Sequence, residues 1–290
     1  MSNCNIGIVG KGFVGNAVAM GFSAGSGYNA NIRIYDKDPG KSSHSLADVI
    51  SQSEFTFISV PTPSNPDGTI NLDILEGCIS EIDAVSKSYD RSDNIILIRS
   101  TVIPGTSRNI QKKYPQLRVV FNPEFLTERS AVFDFINQTR FILGGKVEDT
   151  EKVAKLYNDR FGHSIPIIQT DFETAEFTKY LCNTYFATKL SFLNEMKLLS
   201  DKVGANWNEV IEGFLRDGRI GHSHVQVPGH DGKLGFGGSC FPKDIQAIIK
   251  YAEDQSIDLS VLKGAWETNL RVRPEKDWEN LKGRAVISGD

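Results

Sequence analysis

The feature that most constrains the fold is a glycine-rich turn between a strand-like run and a helical run. The segment "NIGIVGKGFVGNAVAMGFSAG" begins with β-branched residues, turns at GKGFVG and continues at helical spacing. In such a G-x-G-x-x-G turn, Gly10 allows the tight bend, Gly12 lets a pyrophosphate approach the backbone, and Gly15 lets helix and strand pack closely. The helix N-terminus, at Phe13 and Val14, offers N–H groups and positive partial charge to phosphates. The context of strand, turn and helix therefore predicts a dinucleotide site.

An acidic residue at the end of the second strand-like run supports this interpretation. The run "NIRIYD" ends on Asp36, about 20 residues after the glycine turn, as the dinucleotide fingerprint requires. A carboxylate here accepts hydrogen bonds from the adenosine ribose, which favours NAD over NADP. Lys37 follows directly, so NADP remains an alternative cofactor. The alternative is a glycine-rich turn that binds no ligand.

Strand-like and helical runs alternate through the first half of the chain. Further strands are predicted at EFTFISV, NIILIRS, RVVFN and RFILGG, separated by helical patterns such as LDILEGCISEIDAVSKS. This alternation is typical of an α/β fold with a doubly wound parallel sheet, which we place at residues 1–170. Ligands of such sheets lie beyond the carboxyl ends of the strands. The polar loops expected there are 59–63, 99–106 and 122–128, and their candidate cofactor contacts are Val60, Pro61, Thr62, Ser100 and Thr101.

The second half is predicted to be mostly helical, at residues 171–282. Residues 170–203 contain neither proline nor glycine, and the apolar positions 177, 181, 185, 190 and 193 follow a helical period. We expect a long connecting helix at about Phe172–Val203, which forms a homodimer with a second copy. Lys179 and Asn183 are four residues apart and share one helical face. Cys182, on the same helix, is predicted to be a core residue.

The stretch GFGGSCFPKD places Cys240 in a bare glycine loop, just before Lys243 and Asp244. A nearby cation and a helix N-terminus favour a reactive thiolate, although a plain glycine turn that contains a cysteine is the alternative. His222 and His224 form an H-x-H pair near His230. No further ligand pattern accompanies them, so we expect loop histidines rather than a metal site.

Composition excludes several classes of function. The 290 residues carry a net charge of −4 without a Lys/Arg block, so we expect neither nucleic acid nor an anionic membrane as partner. No apolar run is long enough to cross a bilayer, and the N-terminus shows no export signal. The four cysteines are far apart without a C-x-x-C pair, which predicts reduced thiols and a cytoplasmic location.

Taken together, these motifs resemble the UDP-glucose/GDP-mannose dehydrogenase family. The resemblance runs from Ile6 to about Arg273 and includes SVPTP, RSTVIPGT, NPEFLTE, KYLCNTYFATKLSFLNE and GRIG besides the two glycine loops. It implies four-electron, NAD-dependent oxidation of a sugar-nucleotide alcohol to the carboxylate, with UDP-glucose as the favoured substrate.

The resemblance also implies roles for individual residues. Cys240 would be the nucleophile, and Lys179 and Asn183 would stabilise the oxyanion. Asp244 would orient the substrate or exchange protons with it, and Glu124 would be the base of the final hydrolysis. Other residues implied at the catalytic or substrate site are Glu128, Thr101, Phe125, Leu126, Gly235, Phe236, Gly237 and Gly238, with Arg219 reaching the substrate of a neighbouring subunit.

Members of this family continue into a third domain, and residues 283–290 are interpreted as its beginning. A separate chain that supplies this domain is one possible partner. Two other functions stay open. A two-electron dehydrogenase of the hydroxyacid type would use a lysine and an asparagine but not Cys240, and a truncated NAD-binding subunit would have no turnover.

Overall fold

The computed structural model describes residues 4–288 and divides into two compact units. The first, here the sheet unit, comprises the residues up to Thr62 together with Leu72–Lys179. The second, here the helical unit, comprises Pro63–Asn71 and the residues from Tyr180 onward. The boundary lies inside one long helix, between two adjacent residues.

The described part of the sheet unit contains one seven-stranded sheet in the order β2-β1-β3-β4-β5-β6-β7. The chain leaves β1 for β2 on one side and then returns to β3 on the other, so the strand order reverses at β1. Ligands of doubly wound sheets bind at the carboxyl ends of the strands at this point. The strands are β1 (Asn5–Val9), β2 (Asn31–Tyr35), β3 (Phe55–Ile58), β4 (Ile95–Ile98), β5 (Arg118–Phe121), β6 (Phe141–Gly145) and β7 (Ile167–Thr170).

Helices cover both faces of this sheet. Successive residues of a strand point to opposite faces, and Ile95 and Leu97 of β4 accordingly pack in one core cluster while Ile96 and Ile98 pack in the other. The helices of the sheet unit are α1 (Phe13–Gly21), α2 (Leu46–Gln52), α3 (Asp73–Ser88), α4 (Thr106–Lys113), α5 (Ala131–Ile136) and α6 (Val147–Phe161). The predicted α/β doubly wound class is confirmed.

The sheet departs from the expected parallel arrangement at one edge. Strand β6 is antiparallel to β5 through two residue pairs, Val120 with Gly145 and Phe121 with Gly144, and β7 is parallel to β6. The run RFILGG contains no information on strand direction. Strand β7 was not predicted, and its half-exposed residues at the sheet edge explain the weak signal.

The helical unit begins within α7 (Phe172–Val203), whose bounds agree with the prediction, and continues with α8 (Trp207–Leu215), α9 (Phe241–Asp254) and α10 (Ser260–Val272). Its core contains Leu190, Leu193, Trp207, Phe236 and Ile245.

The C-terminal segment pairs with a short stretch of the helical unit. The Ser64 N–H donates to the Ala285 carbonyl at 2.9 Å, and the Ile287 N–H donates to the Ser64 carbonyl at 3.0 Å. This pairing involves part of the segment 283–290 that was interpreted as the start of a third domain; residues 289 and 290 lie outside the described residues, as do residues 1–3.

Candidate active site

The glycine turn after β1 has the steric requirements of a dinucleotide loop. Gly10 has φ +90°, and a side chain there would place its Cβ 2.6 Å from the Ser59 carbonyl oxygen. A Cβ at Gly15 would overlap the Gly10 carbonyl oxygen. Gly12 differs, because its Cβ would meet no atom within 4 Å. Packing therefore requires Gly10 and Gly15, whereas the open space at Gly12 fits a phosphate approaching the N-terminus of α1.

Asp36 holds this loop against the second strand. Its Oδ2 accepts the Lys11 N–H at 2.6 Å, and its Oδ1 accepts the Asp38 N–H at 2.9 Å. Each carboxylate oxygen has a second lone pair, so the side chain can also accept ribose hydroxyls. The next residue, Lys37, is exposed.

The loops after β3 and β4 are joined by two hydrogen bonds. Thr62 Oγ1 donates to the Thr101 carbonyl at 2.8 Å, and Ser100 Oγ donates to the Val60 carbonyl at 2.7 Å. The two loops follow adjacent parallel strands. They therefore form one continuous border at the carboxyl edge of the sheet, and Pro61 lies exposed on it.

Glu124 and Lys179 form a buried ion pair within the sheet unit. Lys179 Nζ donates to Glu124 Oε1 at 2.9 Å and to the Glu124 carbonyl at 2.6 Å. Glu124 Oε2 accepts the Leu126 N–H at 2.7 Å, and the ammonium lies 5.4 Å from the ring centroid of Phe125. Both charged side chains are less than 10% exposed. Lysine and glutamate are almost never buried to this degree unless paired, so the pair orders the loop after β5.

A second buried set lies in the helical unit. Asp244, in the first turn of α9, accepts Asn183 Nδ2 on Oδ2 and Lys243 Nζ on Oδ1, both at 2.5 Å. All three side chains are buried. Asn183 lies one helical turn after Lys179 along α7, but the two residues bind different carboxylates. Lys179 binds Glu124, and Asn183 binds Asp244.

Cys240 occupies the N-cap position of α9 and is half-buried. Its carbonyl accepts the Asp244 N–H at 2.9 Å, and Ser239 Oγ lies 3.8 Å from its Sγ. A thiol at a helix N-terminus is in the environment that favours the thiolate.

The glycines before Cys240 have different roles. A Cβ at Gly235 would lie 2.5 Å from Asn269 Oδ1, and one at Gly237 would lie 2.7 Å from Asp277 Oδ1. Gly238 has φ +74° and no atom within 4 Å of its Cβ position. Close packing therefore explains two of the glycines, and only Gly238 faces open space.

Several other predicted residues lie in exposed positions. Glu128 is exposed on a 3₁₀ turn, and Arg219 is exposed in the segment after α8, where its Nε donates to Asp217 Oδ1 at 2.9 Å. Cys182 is half-buried rather than in the core. The ring of His224 stacks on Phe186 at 4.1 Å between centroids, and no group of three or more potential ligands for a metal occurs among residues 4–288.

The sequence motifs missed four buried polar residues that hold site loops: Glu176, Asn194, Asn269 and Arg273. Asn194 lies in the quoted segment KYLCNTYFATKLSFLNE but had no role assigned to it, and the other three lie in or next to helical patterns without a motif, so their type and spacing carried no signal. Across the part of the chain that the structure describes, no helix is both long and apolar enough to span a membrane.

The fold and the glycine loop define a dinucleotide-binding protein with a Rossmann-type sheet unit followed by a helical unit. The chain belongs to the UDP-glucose/GDP-mannose dehydrogenase family. The model of that family's NAD-binding domain matches residues 37–160, and the model of its central domain matches residues 173–271. NAD is therefore the cofactor.

Comparison with individual proteins gives the same relationship. The chain is 37% identical over 223 residues to the UDP-glucose 6-dehydrogenase of Rickettsia prowazekii (strain Madrid E). The matching region covers 75% of this chain and 49% of the relative. The structure of a UDP-glucose dehydrogenase from the hyperthermophilic archaeon Pyrobaculum islandicum superposes with a TM-score of 0.79 at 27% identity, covering 92% of this chain and 68% of that one. The chain spans about half the length of the curated relatives it matches.

A more distant likeness concerns the fold alone. The 3-hydroxyisobutyrate dehydrogenase of Mycobacterium tuberculosis superposes with a TM-score of 0.73 at 14% identity, over 94% of both chains.

Proposed function

We propose that the protein oxidises the primary alcohol of a sugar nucleotide to the carboxylate in two NAD-dependent steps, with UDP-glucose as substrate. The observation that carries this proposal is Cys240 at the N-terminus of α9, two residues after the exposed Gly238 and four residues before the buried Asp244. A single two-electron oxidation needs an acid or base but no nucleophile. A nucleophile is needed when an aldehyde must be held for a second oxidation.

NAD would be held by the loop Gly10–Gly15, by Asp36 and by the joined loops at Thr62 and Thr101. When bound, it supplies the acceptor for a hydride in each oxidation. The residues of this chain bind the cofactor, position the sugar and transfer the protons.

Cys240 carries the covalent chemistry in this proposal. Its thiolate adds to the aldehyde carbon, a C–S bond forms, and the carbonyl oxygen becomes an oxyanion that Lys179 and Asn183 stabilise. Loss of the second hydride converts this thiohemiacetal into a thioester. Water then adds to the thioester carbonyl, the C–S bond breaks, and the thiolate leaves as the carboxylate product forms.

The two buried carboxylates take separate roles. Glu124 accepts the proton of the attacking water, since each of its oxygens already accepts one hydrogen bond and has a second lone pair. Asp244 is fixed by Asn183 and Lys243, and it orients the sugar near Cys240. Its position in the turn that begins with Cys240 supports this assignment.

The Glu124→Gln variant tests the mechanism. Glutamine preserves the size of the side chain but cannot accept the water proton, and loss of a general base typically slows a step by about 10²–10⁴-fold. With UDP-glucose and NAD, both oxidations should occur once and the thioester should persist. Intact-mass analysis should then show one adduct per chain, which peptide mapping places on Cys240.

Adding Cys240→Ala in the same background should remove the adduct. The wild type should form two NADH per product. One NADH per product, an adduct on Cys182, or NADH formation without any adduct would contradict the mechanism.

We also propose that the protein is a homodimer through α7. Exposed apolar side chains, each at least 40% exposed, form a stripe along this helix at spacings of three, four and seven: Phe177, Leu181, Tyr185, Phe192, Met196, Leu199 and Val203. A long stripe of exposed apolar side chains is characteristic of an interaction surface, and a second copy offers the same stripe by two-fold symmetry.

A further inference from the structure

The backbone of the loop before Cys240 is held by buried side chains of other segments. The Gly235 N–H donates to Asn194 Oδ1 on α7 at 2.8 Å. The Leu234 carbonyl accepts Arg273 Nη1, which follows α10, at 3.2 Å. Asn194 and Arg273 are only 1% and 3% exposed, so bulk water has little access to either side chain.

The strongest of these contacts is made by Asn269 of α10. Its Oδ1 accepts the Phe236 N–H at 2.7 Å, and its Nδ2 donates to the Phe236 carbonyl at 3.0 Å. One carboxamide thus satisfies both polar groups of a residue, as a neighbouring strand would. Asn269 is fully buried, and a buried polar group that loses its partner costs more than an exposed one.

The glycine pattern of the loop agrees with this arrangement. A Cβ at Gly235 would come within 2.5 Å of Asn269 Oδ1, and a Cβ at Gly237 would come within 2.8 Å of Arg273 Nη2. These two glycines let the backbone approach Asn269 and Arg273. Phe236, between them, is buried in the core of the helical unit and also anchors the loop.

We infer that Asn269 is a positioning residue for Cys240: its carboxamide fixes the Phe236 peptide and thereby the glycine loop that presents the thiol. The catalytic consequence rests on the proposed function, whereas the loop contact itself does not. Asn269 lies 29 residues after Cys240, in a helix to which no motif drew attention.

The Asn269→Asp variant tests this inference, because its hydrogen bonding to Phe236 depends on pH. A protonated carboxyl group has the shape of the carboxamide and can both donate to the Phe236 carbonyl and accept the Phe236 N–H. The ionised form cannot donate, and it places a negative charge against a carbonyl oxygen. The variant should therefore behave like the wild type at low pH and lose its hold on the loop as pH rises.

Hydrogen exchange measured by mass spectrometry on a peptide covering residues 234–240 reports this directly. We expect the exchange rate of the variant, divided by that of the wild type at the same pH, to be near one at pH 5 and about tenfold or more higher at pH 9, since loss of one hydrogen bond to a buried group is worth about a factor of ten. Taking the ratio removes the intrinsic pH dependence of exchange.

Asn194→Asp is the matched control. This position is equally buried, and its Oδ1 also accepts an N–H of the loop, while its Nδ2 donates to Leu190 within the same helix. A carboxylate there keeps the bond to the loop, so its exchange ratio for the same peptide should change little with pH. Equal pH dependence in the two variants would overturn the inference.

A second variant guards against misfolding. Asn269→Ala removes both hydrogen bonds at every pH and should give a raised exchange ratio without pH dependence. A ratio near one for this variant, in a chain with the far-UV circular dichroism of the wild type, would also overturn the inference.

Turnover gives a separate measure. Asn269→Asp should lower kcat for NADH formation progressively as pH rises, relative to the wild type, with the KM for NAD unchanged. A wild type that turns over no sugar nucleotide would refute the proposed function, while the exchange ratios would still decide the role of Asn269.

Discussion

Replacing Glu176 by glutamine should make the stability of the protein less dependent on pH. Glu176, on α7, is fully buried. Its Oε2 accepts the Gly105 N–H at 2.6 Å and its Oε1 accepts the Ser107 N–H at 2.7 Å, so the carboxylate caps the N-terminus of α4. Burial, with a smaller contribution from the carboxylate of Glu173, raises its pKa from 4.5 to about 7 despite the lowering effect of these hydrogen bonds.

The size of the effect follows from this change in pKa. A rise from 4.5 to about 7 corresponds to about 3.4 kcal/mol at 1.36 kcal/mol per unit. Because the pKa is higher in the folded state, the protein has its full stability below pH 4.5. It then loses up to this amount of free energy of unfolding as the pH rises through 7. Between pH 5 and pH 8 the ionisation of Glu176 should lower the free energy of unfolding by about 2.5 kcal/mol.

Glutamine does not ionise, so the Glu176→Gln variant should lack this loss. The glutamine NH₂ group would face one of the two backbone N–H groups, of Gly105 or Ser107, so two donors would meet there. This loss of one hydrogen bond changes the stability by an amount independent of pH. Urea unfolding followed by far-UV circular dichroism at pH 5, 6, 7 and 8 should show the stability of the variant rising relative to the wild type by about 2.5 kcal/mol across this range.

Glu173→Gln is the control on the same helix: Glu176 still ionises in this variant, so most of the pH dependence of the wild type should remain, slightly reduced because Glu173 no longer raises the pKa of Glu176. The side chain of Glu173 is partly exposed and pairs with Arg108, which lowers its pKa below 4.5, so it is already ionised throughout the measured range. A constant stability difference between Glu176→Gln and the wild type from pH 5 to pH 8 would refute the reasoning.

Three further results are expected. Asp36→Ala should reduce the preference for NAD over NADP about tenfold, measured as the ratio of dissociation constants, because the 2′-phosphate no longer meets a carboxylate; a wild type that prefers NADP would contradict the assignment. Gly12→Ala should weaken NAD binding without lowering the thermal stability, whereas Gly15→Ala should lower the stability itself, and equal thermal losses would contradict the division of roles. Leu181→Glu should shift the sedimentation coefficient towards that of a monomer while Lys202→Glu does not, and a wild type that sediments as a monomer at micromolar concentration would exclude the dimer.

The features predicted correctly from sequence are those with a local physical cause. The bounds of α7 follow from a long segment without Pro or Gly. The glycine turn follows from the positive φ of Gly10 and the close contact between Gly10 and Gly15, which lie within six residues. The antiparallel direction of β6 could not be predicted, because strand direction depends on how the chain returns to the sheet and not on the residues of the strand. Strand β7 has only four residues, partly exposed, and therefore little hydrophobic pattern.

The site was predicted less completely than the fold for a related reason. A motif identifies Cys240, but nothing local identifies the residues that hold its loop, because a helical pattern does not show what lies opposite a polar position. In the sequence, Asn269 is only a polar residue in a helical pattern. Its role follows from the structure, where it contacts Phe236, 33 residues earlier in the chain. The roles assigned to Glu124, Lys179, Asn183 and Asp244 by resemblance stay predictions, although the structure shows that all four are buried and hydrogen-bonded.

The burial of these charges is itself informative about their role. Removing an ion pair from water costs several kcal/mol, and replacing a buried pair by apolar residues is often neutral or stabilising. The pairs Lys179–Glu124 and Lys243–Asp244 are therefore poor explanations for the stability of either unit. Arg273 is different, because it joins Asp231 and Asp277 and donates to the loop backbone at Leu234, which gives it a structural purpose. Glu124 and Asp244 also join distant segments, because they bind Lys179 and Asn183 on α7. Apolar residues could hold these segments without the cost of burying charge, so the burial of the two carboxylates supports the catalytic roles that we propose for them.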